Sequence, residues 1–286
     1  MSDTNKIIVT CDSTCDLSEE LYKKYEIIPV PLGTFLGEEL RHDGVDVTPL
    51  EIFDYVGRTG VLPKTSAVSV SEYEDVFRKY VDSGCEVVHI NISSEFSSCH
   101  QNANIAAEEL GHVYPVDSRN LSTGSGHLAI KARELANEGL SASEIADKLN
   151  EMKEKLDVSF VLQTLDYLQK GGRCSGVVAF GANLLKLRPE IVVSEGTMIV
   201  GKKYRGDMEK TILNYVRGRL EGRTDIDTSR IFITHSHVPD EIVAKVRNLV
   251  KELQPFEDEN ILETYAGCTV SCHCGPNCLG VLFFKV

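Results

Sequence analysis

A serine-rich turn holds the densest set of residues that could bind a ligand. Residues 87–92 are apolar enough for a buried strand, and a polar helix is predicted from about residue 97 to residue 110. Four hydroxyls lie at this junction: Ser93, Ser94, Ser97 and Ser98. The unpaired N–H groups of a helix N-terminus favour an anion. One hydroxyl is enough to cap a helix, so the surplus predicts that this turn binds an acidic ligand.

Other segments could contribute to the same anion site. Thr65 and Ser66 lie in a second hydroxyl-bearing loop of the same half of the chain. Residues 164–173 predict a short helix that ends in glycine, and Arg173 gives it a basic end that could face an anion. A short basic turn that ends at Arg205 is interpreted as a solvated hairpin. We assign both arginines to the rim of the cleft or to a surface that presents the ligand.

Catalysis by the serines is the alternative. A Ser/His-dependent hydrolase or phosphotransferase needs a base, and His100 follows Phe96 by one helical turn. A histidine on a helix rich in Ala and Glu is more often simply exposed. The Gly-x-Ser-x-Gly turn of a serine nucleophile is absent from the sequence, and so are the glycine-rich loops that bind nucleotide phosphates. We therefore predict a binding protein with no catalytic residue and no cofactor beside its ligand.

Four of the nine cysteines surround His273. They are Cys268, Cys272, Cys274 and Cys278. Zinc or an iron–sulfur cluster could use such a set, but the arrangement is not the usual pair of knuckles of a structural zinc site. We predict small buried thiols in a crowded loop, without a metal. His235 and His237, at the end of a predicted strand, are expected to face solvent at a sheet edge.

Composition and charge exclude several partners. The chain has 286 residues and a formal net charge of −13, and no run of Lys and Arg supplies the basic stripe that nucleic acid needs. Residues 1–6 are polar, and no stretch approaches 18 continuous apolar residues. We therefore expect no signal peptide, no integral membrane segment and a cytoplasmic location.

Strand and helix patterns alternate through the first half of the chain. Capping-box spacing at Asp16, Ser69 and Ser141 predicts three helices between the strands. The alternation predicts an α/β protein whose N-terminal α/β/α domain, residues 1–157, has a parallel sheet with ligands at the carboxyl ends of its strands. Residues 158–286 predict a smaller α/β domain with a mixed sheet that closes the ligand cleft.

The sequence also predicts where one strand and two helices near these motifs begin and end. Residues 27–35 are predicted to form one strand, an edge or irregular one because it contains Pro29 and Pro31. Residues 128–135 and residues 141–156 are each predicted to form a helix.

Taken together, these motifs resemble the DegV family over nearly the whole chain. They are Asp12-Ser13-Thr14, Thr65-Ser66, Ser93-Ser94 with Ser97, Asp117-Ser118, Lys170-Gly171-Gly172-Arg173, Leu184-Leu185-Lys186-Leu187-Arg188-Pro189, and His273 with Gly275-Pro276. Each motif is weak alone, and their order and spacing carry the resemblance. It implies an α/β/α domain followed by a smaller domain on a mixed sheet, as the strand and helix patterns also predict.

The resemblance also implies a ligand and a partner. Members of the family bind a long-chain fatty acid, whose carboxylate is held by a threonine and a serine and has a histidine nearby. The matching residues are Thr65, Ser97 and His273, with Ser66, Ser93 and Ser94 close by. Some members are the carrier subunit of a bacterial fatty acid kinase in phospholipid metabolism, which implies a separate kinase subunit as a partner.

This chain departs from the family in the serine-rich loop. The family usually has glycine where this chain has Glu95 and Ser98. Left-handed backbone at either position would therefore be strained, and Glu95 is expected to point to solvent, away from a bound anion.

Overall fold

The first sheet of the protein is parallel throughout. The structure, a computed structural model, describes residues 6–173 and 187–286. In spatial order the sheet contains β2 (Ile27–Val30), β1 (Ile7–Asp12), β6 (Glu86–Asn91) and β7 (Val113–Asp117). One face packs on α3 (Val70–Val81) and α4 (Cys99–Leu110); the other packs on α1 (Glu19–Lys24), α5 (Thr123–Asn137) and α6 (Ala142–Met152). Because both faces are covered, residues on both sides of its central strands are buried.

A mixed sheet follows in the second half. Its spatial order is β10 (Thr197–Tyr204), β9 (Arg188–Ser194), β8 (Leu156–Val161), β13 (Cys278–Lys285), β11 (Ile226–Ser236) and β12 (Ile261–Tyr265), with only the last pair parallel. α8 (Met208–Leu220) and α9 (Asp240–Leu253) pack on one face. The other face meets α5, where His127 Nε2 donates to the Leu282 carbonyl at 3.0 Å. The predicted fold class is confirmed.

Residues 27–35 do not form one strand, so that prediction is wrong. β2 ends at Val30, and β3 (Gly33–Leu36) lies in a separate antiparallel sheet with β4 (Glu39–His42) and β5 (Lys64–Ser66). Pro31 lies at the break, because proline has no N–H with which to continue the ladder. The small sheet brings Thr65 next to α10 (Cys268–Cys274). α2 (Pro49–Thr59) and α7 (Asp166–Lys170) also pack against α10.

Two capping boxes are confirmed and one is wrong. Ser69 and Ser141 each exchange hydrogen bonds with the glutamate three residues later. Asp16 is not the N-cap of α1. That position belongs to Ser18, which accepts from the Leu21 N–H. Asp16 instead has a φ of 50° and is 4% exposed.

Two helix bounds also differ from the prediction. The helix expected over residues 141–156 ends at Met152, and β8 already begins at Leu156. The helix expected over residues 128–135 begins five residues earlier, at Thr123. Its first turn contains Gly126, where an added Cβ would lie 2.8 Å from the carbonyl oxygen of Cys15. The small residues that weaken the sequence signal are therefore the ones that allow this helix to pack closely.

Candidate functional site

A cavity with about 540 Å³ of empty space, part of it open to solvent, lies where loops of the parallel sheet meet α10 and the mixed sheet. Its apolar lining comes mainly from Leu32, Ala67, Ile92, Phe96, Leu121, Leu168, Met198, Val270 and Cys274. Its polar lining comes from Thr65, Ser66, Ser97, Arg173, Thr269 and His273. No Asp or Glu of the described chain is among the lining residues. The cavity is thus apolar with hydroxyls and one permanent cation, a combination that suits an acid with a long apolar chain.

Thr65 and His273 meet across the polar part of this cavity. β5 carries Thr65 and α10 carries His273, and Thr65 Oγ1 lies 2.9 Å from His273 Nε2. Burial, and then the positive charge of Arg173, lower the pKa of His273 to about 4. The imidazole is therefore neutral near pH 7. With its proton on Nε2, it donates to Thr65 Oγ1, and the Thr65 hydroxyl is left free to donate to a ligand oxygen.

Gly171 allows His273 to occupy this position. A Cβ added at Gly171 would lie 2.4 Å from His273 Nδ1 and 2.9 Å from the Tyr167 carbonyl oxygen. The first glycine of the Gly-Gly pair after α7 thus serves close packing against the imidazole. His273 Nδ1 has no hydrogen-bond partner in the part of the chain that the structure describes. The ring is held by packing and by its contact with Thr65, and no carboxylate orients it.

Ser97 lies just before α4 and also faces the cavity. Its Oγ accepts from the Cys99 N–H at 3.3 Å and donates to Cys99 Sγ at 3.1 Å. Sulfur is a weak acceptor, so a ligand carboxylate would compete well for the Ser97 proton. The oxygen thus has a capping role for α4, while the proton is available for binding.

Arg173 supplies the positive charge of the cavity. It is half-buried, and its guanidinium donates to the carbonyls of Phe96 at 3.3 Å and Gly171 at 3.0 Å. These two bonds hold the side chain between the serine-rich loop and the end of α7. A guanidinium has five donors, so further N–H groups remain for an anion.

The other predicted site residues are divided between the cavity and its surroundings. Ser66 lines the cavity. Ser93 is fully buried and donates to the Gly196 carbonyl at 2.8 Å, so it joins the serine-rich loop to the β9–β10 turn. Ser94 is exposed and donates to Asp117 Oδ2 at 2.6 Å. Arg205 is exposed after β10 and is not among the lining residues.

Two buried carboxylates position α10, and the sequence reasoning missed both. Asp16 accepts from the Gly267 N–H at 2.9 Å and from the Ser122 hydroxyl at 2.5 Å. Asp43 accepts from the N–H groups of Cys268 at 2.7 Å and Thr269 at 3.0 Å. Both carboxylates come from loops of the first half, so the helix that carries His273 is docked onto that half. The Asp-Ser-Thr-Cys-Asp motif could have pointed to Asp16, since a strand end is where ligand loops begin.

The cysteine cluster is helical, and the predicted loop is wrong. Cys268, Cys272 and Cys274 lie on α10, which is helical because the two carboxylates hold its first N–H groups. All four cysteines are buried, as predicted. Burial raises the pKa of the Cys272 thiol to about 12 and also raises that of Cys268. Within the described residues, no group of three or more His, Cys, Asp and Glu side chains is placed to hold a metal.

The strand-end histidines differ from each other. His237 is exposed, as expected. His235 is 1% exposed, so its predicted exposure is wrong. The reason is that β11 lies inside the mixed sheet between β13 and β12, where Tyr265 covers the His235 ring at a centroid distance of 4.4 Å.

A second, smaller cavity continues the first. It has an empty volume of about 340 Å³ and shares Leu121, Val270 and Cys274 with the first cavity. Its other apolar walls come from β8, β13 and the residue after β12, and they are Val158, Phe160, Ala266, Cys278, Gly280 and Leu282. Ser122, Thr234, His235 and Ser236 also line it. The shared residues form the wall between two spaces that together could take a longer chain than either alone.

The sequence as a whole matches one known family. A family model described as "Uncharacterised protein, DegV family" matches residues 6–286. The chain belongs to the DegV family. A DegV domain-containing protein of Caldanaerobacter subterraneus subsp. tengcongensis is 30% identical over 282 residues, which cover 97% of this chain and 98% of the relative.

Solved DegV-family structures match the fold closely. One is a DegV family protein from Thermus thermophilus, which is described as binding fatty acid. It is 30% identical to this chain and has a TM-score of 0.87, with 98% of this chain and 100% of the relative covered. A stearic acid-binding protein from Eubacterium ventriosum is 25% identical, with a TM-score of 0.84 over 97% of each chain.

The serine-rich loop closes without the glycines that are usual in DegV proteins. None of residues 93–99 has a positive φ, so the substitutions create no backbone strain. Glu95 is exposed and lies 3.8 Å from Arg119, away from the cavity lining. Of the family motif at residues 184–189, residues 184–186 lie outside the described residues. Arg188 begins β9 and donates to the Gln163 carbonyl.

His100 and His89 each bond to side chains other than a serine. His100 is half-buried, so its predicted exposure is wrong; its Nδ1 lies 3.2 Å from Asn91 Oδ1 and its Nε2 lies 3.0 Å from Asn104 Nδ2. Thr10, His89 and Asp12 have the order of a hydroxyl–histidine–carboxylate triad, but all three are fully buried.

None of the helices in residues 6–173 and 187–286 has the length and apolar character of a membrane span.

Proposed function

We propose that this DegV-family protein binds one long-chain fatty acid between its proposed domains, residues 1–157 and 158–286. The observation that carries the proposal is the pairing of an apolar cavity with a polar end that contains hydroxyls, a neutral imidazole and one cation. Thr65 and Ser97 would donate to the carboxylate, His273 would orient Thr65, and Arg173 would balance the charge. Ser66 lies beside them. Fatty-acid binding by solved relatives supports the same ligand class.

The acyl chain would supply most of the affinity. Burying about fourteen methylenes at ~0.8 kcal/mol each contributes roughly 11 kcal/mol, and association and ordering cost roughly 4–15 kcal/mol. The polar contacts therefore orient the ligand more than they hold it. We propose that the chain runs past Leu121, Val270 and Cys274 into the second cavity, because those residues line both spaces.

We further propose that the protein is a carrier and that a separate kinase subunit acts on the carboxylate. Thr65, Ser97 and Arg173 are only half-buried, so the polar end lies near the surface. Ser93 and Ser94 act indirectly, since their bonds to Gly196 and Asp117 hold the loop that carries Ser97. Arg205 is exposed and would belong to the surface that meets the kinase.

The test is extraction of the native protein. Protein purified from a bacterial host is expected to release a stoichiometric long-chain fatty acid on denaturation, identified by mass spectrometry. Delipidated protein should take up hexadecanoate at a ratio of about one to one. If no lipid is extracted and no added acid is bound, fatty-acid binding is wrong. Unaided turnover of acyl or phosphate esters would favour the hydrolase or phosphotransferase instead.

A further inference from the structure

Thr269 lines the cavity and has an unpaired hydroxyl. The residue is 5% exposed, and its Oγ1 has no hydrogen-bond partner among the described residues. Its backbone N–H donates to Asp43, which fixes the position of its backbone beside the cavity. A buried hydroxyl without a partner costs stability. A ligand atom that pairs with it would remove this cost.

Thr269 lies one helical turn before His273 on α10. Residues four apart on a helix have Cβ atoms about 5–6 Å apart, on the same face. A ligand that places its carboxylate at Thr65 and His273 would thus have the first carbons of its chain within reach of Thr269. An unsubstituted acyl chain offers no polar atom there, so the Thr269 hydroxyl would stay unpaired.

We propose that the cavity prefers long-chain acids that carry a hydroxyl close to the carboxylate, as 3-hydroxy acids do, and that Thr269 recognises this hydroxyl. This rests on the proposed fatty-acid site. A carboxylate can only accept hydrogen bonds, and Thr65, Ser97 and Arg173 already face it with donors. A ligand hydroxyl both donates and accepts, which matches the two capacities of the Thr269 hydroxyl.

The experiment compares two acids of equal chain length on delipidated protein, hexadecanoate and 3-hydroxyhexadecanoate, by calorimetry. We expect the wild type to bind the 3-hydroxy acid roughly three- to tenfold more tightly, the effect of one neutral hydrogen bond. Thr269→Val should abolish this preference without weakening hexadecanoate, and Thr269→Ser should retain it. Hexadecanoate hydroxylated at its far end should bind no better than hexadecanoate to either protein.

Thr211→Val is the matched control. Thr211 is also fully buried with an unpartnered hydroxyl, but it lies on α8 outside both cavities. The Thr211→Val variant should still prefer the 3-hydroxy acid. Equal binding of the two acids by the wild type would overturn the proposal, and so would a Thr269→Val variant that weakens both acids equally, because Thr269 would then bind the carboxylate. If neither acid binds at all, the proposed function itself fails.

Discussion

The described residues contain two threonine–histidine pairs. Their O···N distances are nearly the same, but one pair lies in the core and the other lines the cavity. Thr10 Oγ1 lies 2.8 Å from His89 Nδ1, and Thr65 Oγ1 lies 2.9 Å from His273 Nε2. The first pair is fully buried beneath the parallel sheet's α3–α4 face, and the second lines the cavity. The same two residue types thus form a structural contact in the core and part of a candidate binding site at the cavity.

The difference lies in the remaining partners of each histidine. His89 Nε2 lies 3.1 Å from Asp12 Oδ1, and the Asp12 carboxylate also accepts from the Tyr73 hydroxyl at 2.5 Å and the Ile92 N–H at 2.8 Å. Every polar group of that network is satisfied internally. His273 Nδ1 and the Thr269 hydroxyl have no partner, although both are buried. Unsatisfied hydrogen-bonding capacity beside an apolar space distinguishes a site for a ligand from a polar core.

The largest expected effect follows from breaking the satisfied network. Asp12→Ala leaves buried donors from Tyr73, His89 and Ile92 without an acceptor. The free energy of unfolding should fall by about 3–5 kcal/mol, as when one partner of a buried pair is removed. Urea denaturation measures it. Thr65→Ala, in the cavity pair, should change stability by less than about 1 kcal/mol. Similar losses for both variants would contradict the distinction between the regions.

The pH dependence of stability should separate the cavity histidine from exposed ones. The pKa of His273 is about 4 in the folded protein, because burial and Arg173 disfavour the imidazolium, and about 6.5 when unfolded. The unfolded state therefore binds more protons between these values, and stability falls as pH falls from 6.5 to 4. This residue should account for about 3 kcal/mol of that loss.

His273→Gln tests this dependence. The difference in unfolding free energy between pH 7 and pH 4 should shrink by that amount relative to the wild type. His112→Gln, which removes an exposed histidine outside the cavity, is the control variant measured beside it. A His273→Gln variant with the pH profile of the wild type would show that the imidazole is accessible to protons in the folded state.

The carboxylate contacts should have a smaller effect, seen in binding. Each hydrogen bond from Thr65 or Ser97 to a charged carboxylate contributes on the order of 1.5–3 kcal/mol. Thr65→Ala or Ser97→Ala should therefore weaken hexadecanoate binding by roughly tenfold to a hundredfold. The two losses should not add, because both groups hold one carboxylate. Ser83→Ala, which removes an exposed hydroxyl after α3 and outside the cavity, is the control and should bind like the wild type.

The methyl ester of the acid sharpens the same experiment. The uncharged ester should bind the wild type poorly and should be less sensitive to either alanine substitution. If both variants bind the acid as tightly as the wild type, the carboxylate lies elsewhere and the site assignment is wrong.

The smallest expected effect concerns the cysteines around His273. We expect Cys268, Cys272, Cys274 and Cys278 to bind no structural metal. Burial raises the pKa of the Cys268 and Cys272 thiols, and a hydrogen bond with Cys274, together with burial, raises the pKa of Cys278, whereas a metal needs thiolates. A strong chelator should leave the melting temperature unchanged. Stoichiometric zinc or iron in protein prepared without added metal would mean that the cysteines around His273 form a metal site.

Local sequence determined much of the fold. The boxes at Ser69 and Ser141 depend on side chains three residues apart, and both appear as predicted. The alternation of strands and helices needs only local periodicity, so the α/β class and most of the elements follow from it. The hydroxyl loops at Thr65 and Ser97 were predicted for the same reason, since each follows a recognisable strand or precedes a helix cap.

Contacts between distant residues decided the rest. α10 is a helix because Asp16 and Asp43, more than 200 residues away in the chain, accept from its first N–H groups. His235 is buried because β11 has strands on both sides, and Ser93 joins the two halves because the β9–β10 turn reaches it. Burial and hydrogen-bond partners across the chain have no local signature. Hence the sequence predicted which side chains carry hydroxyls and charges, and only the tertiary structure decided which of them remain free to meet a ligand.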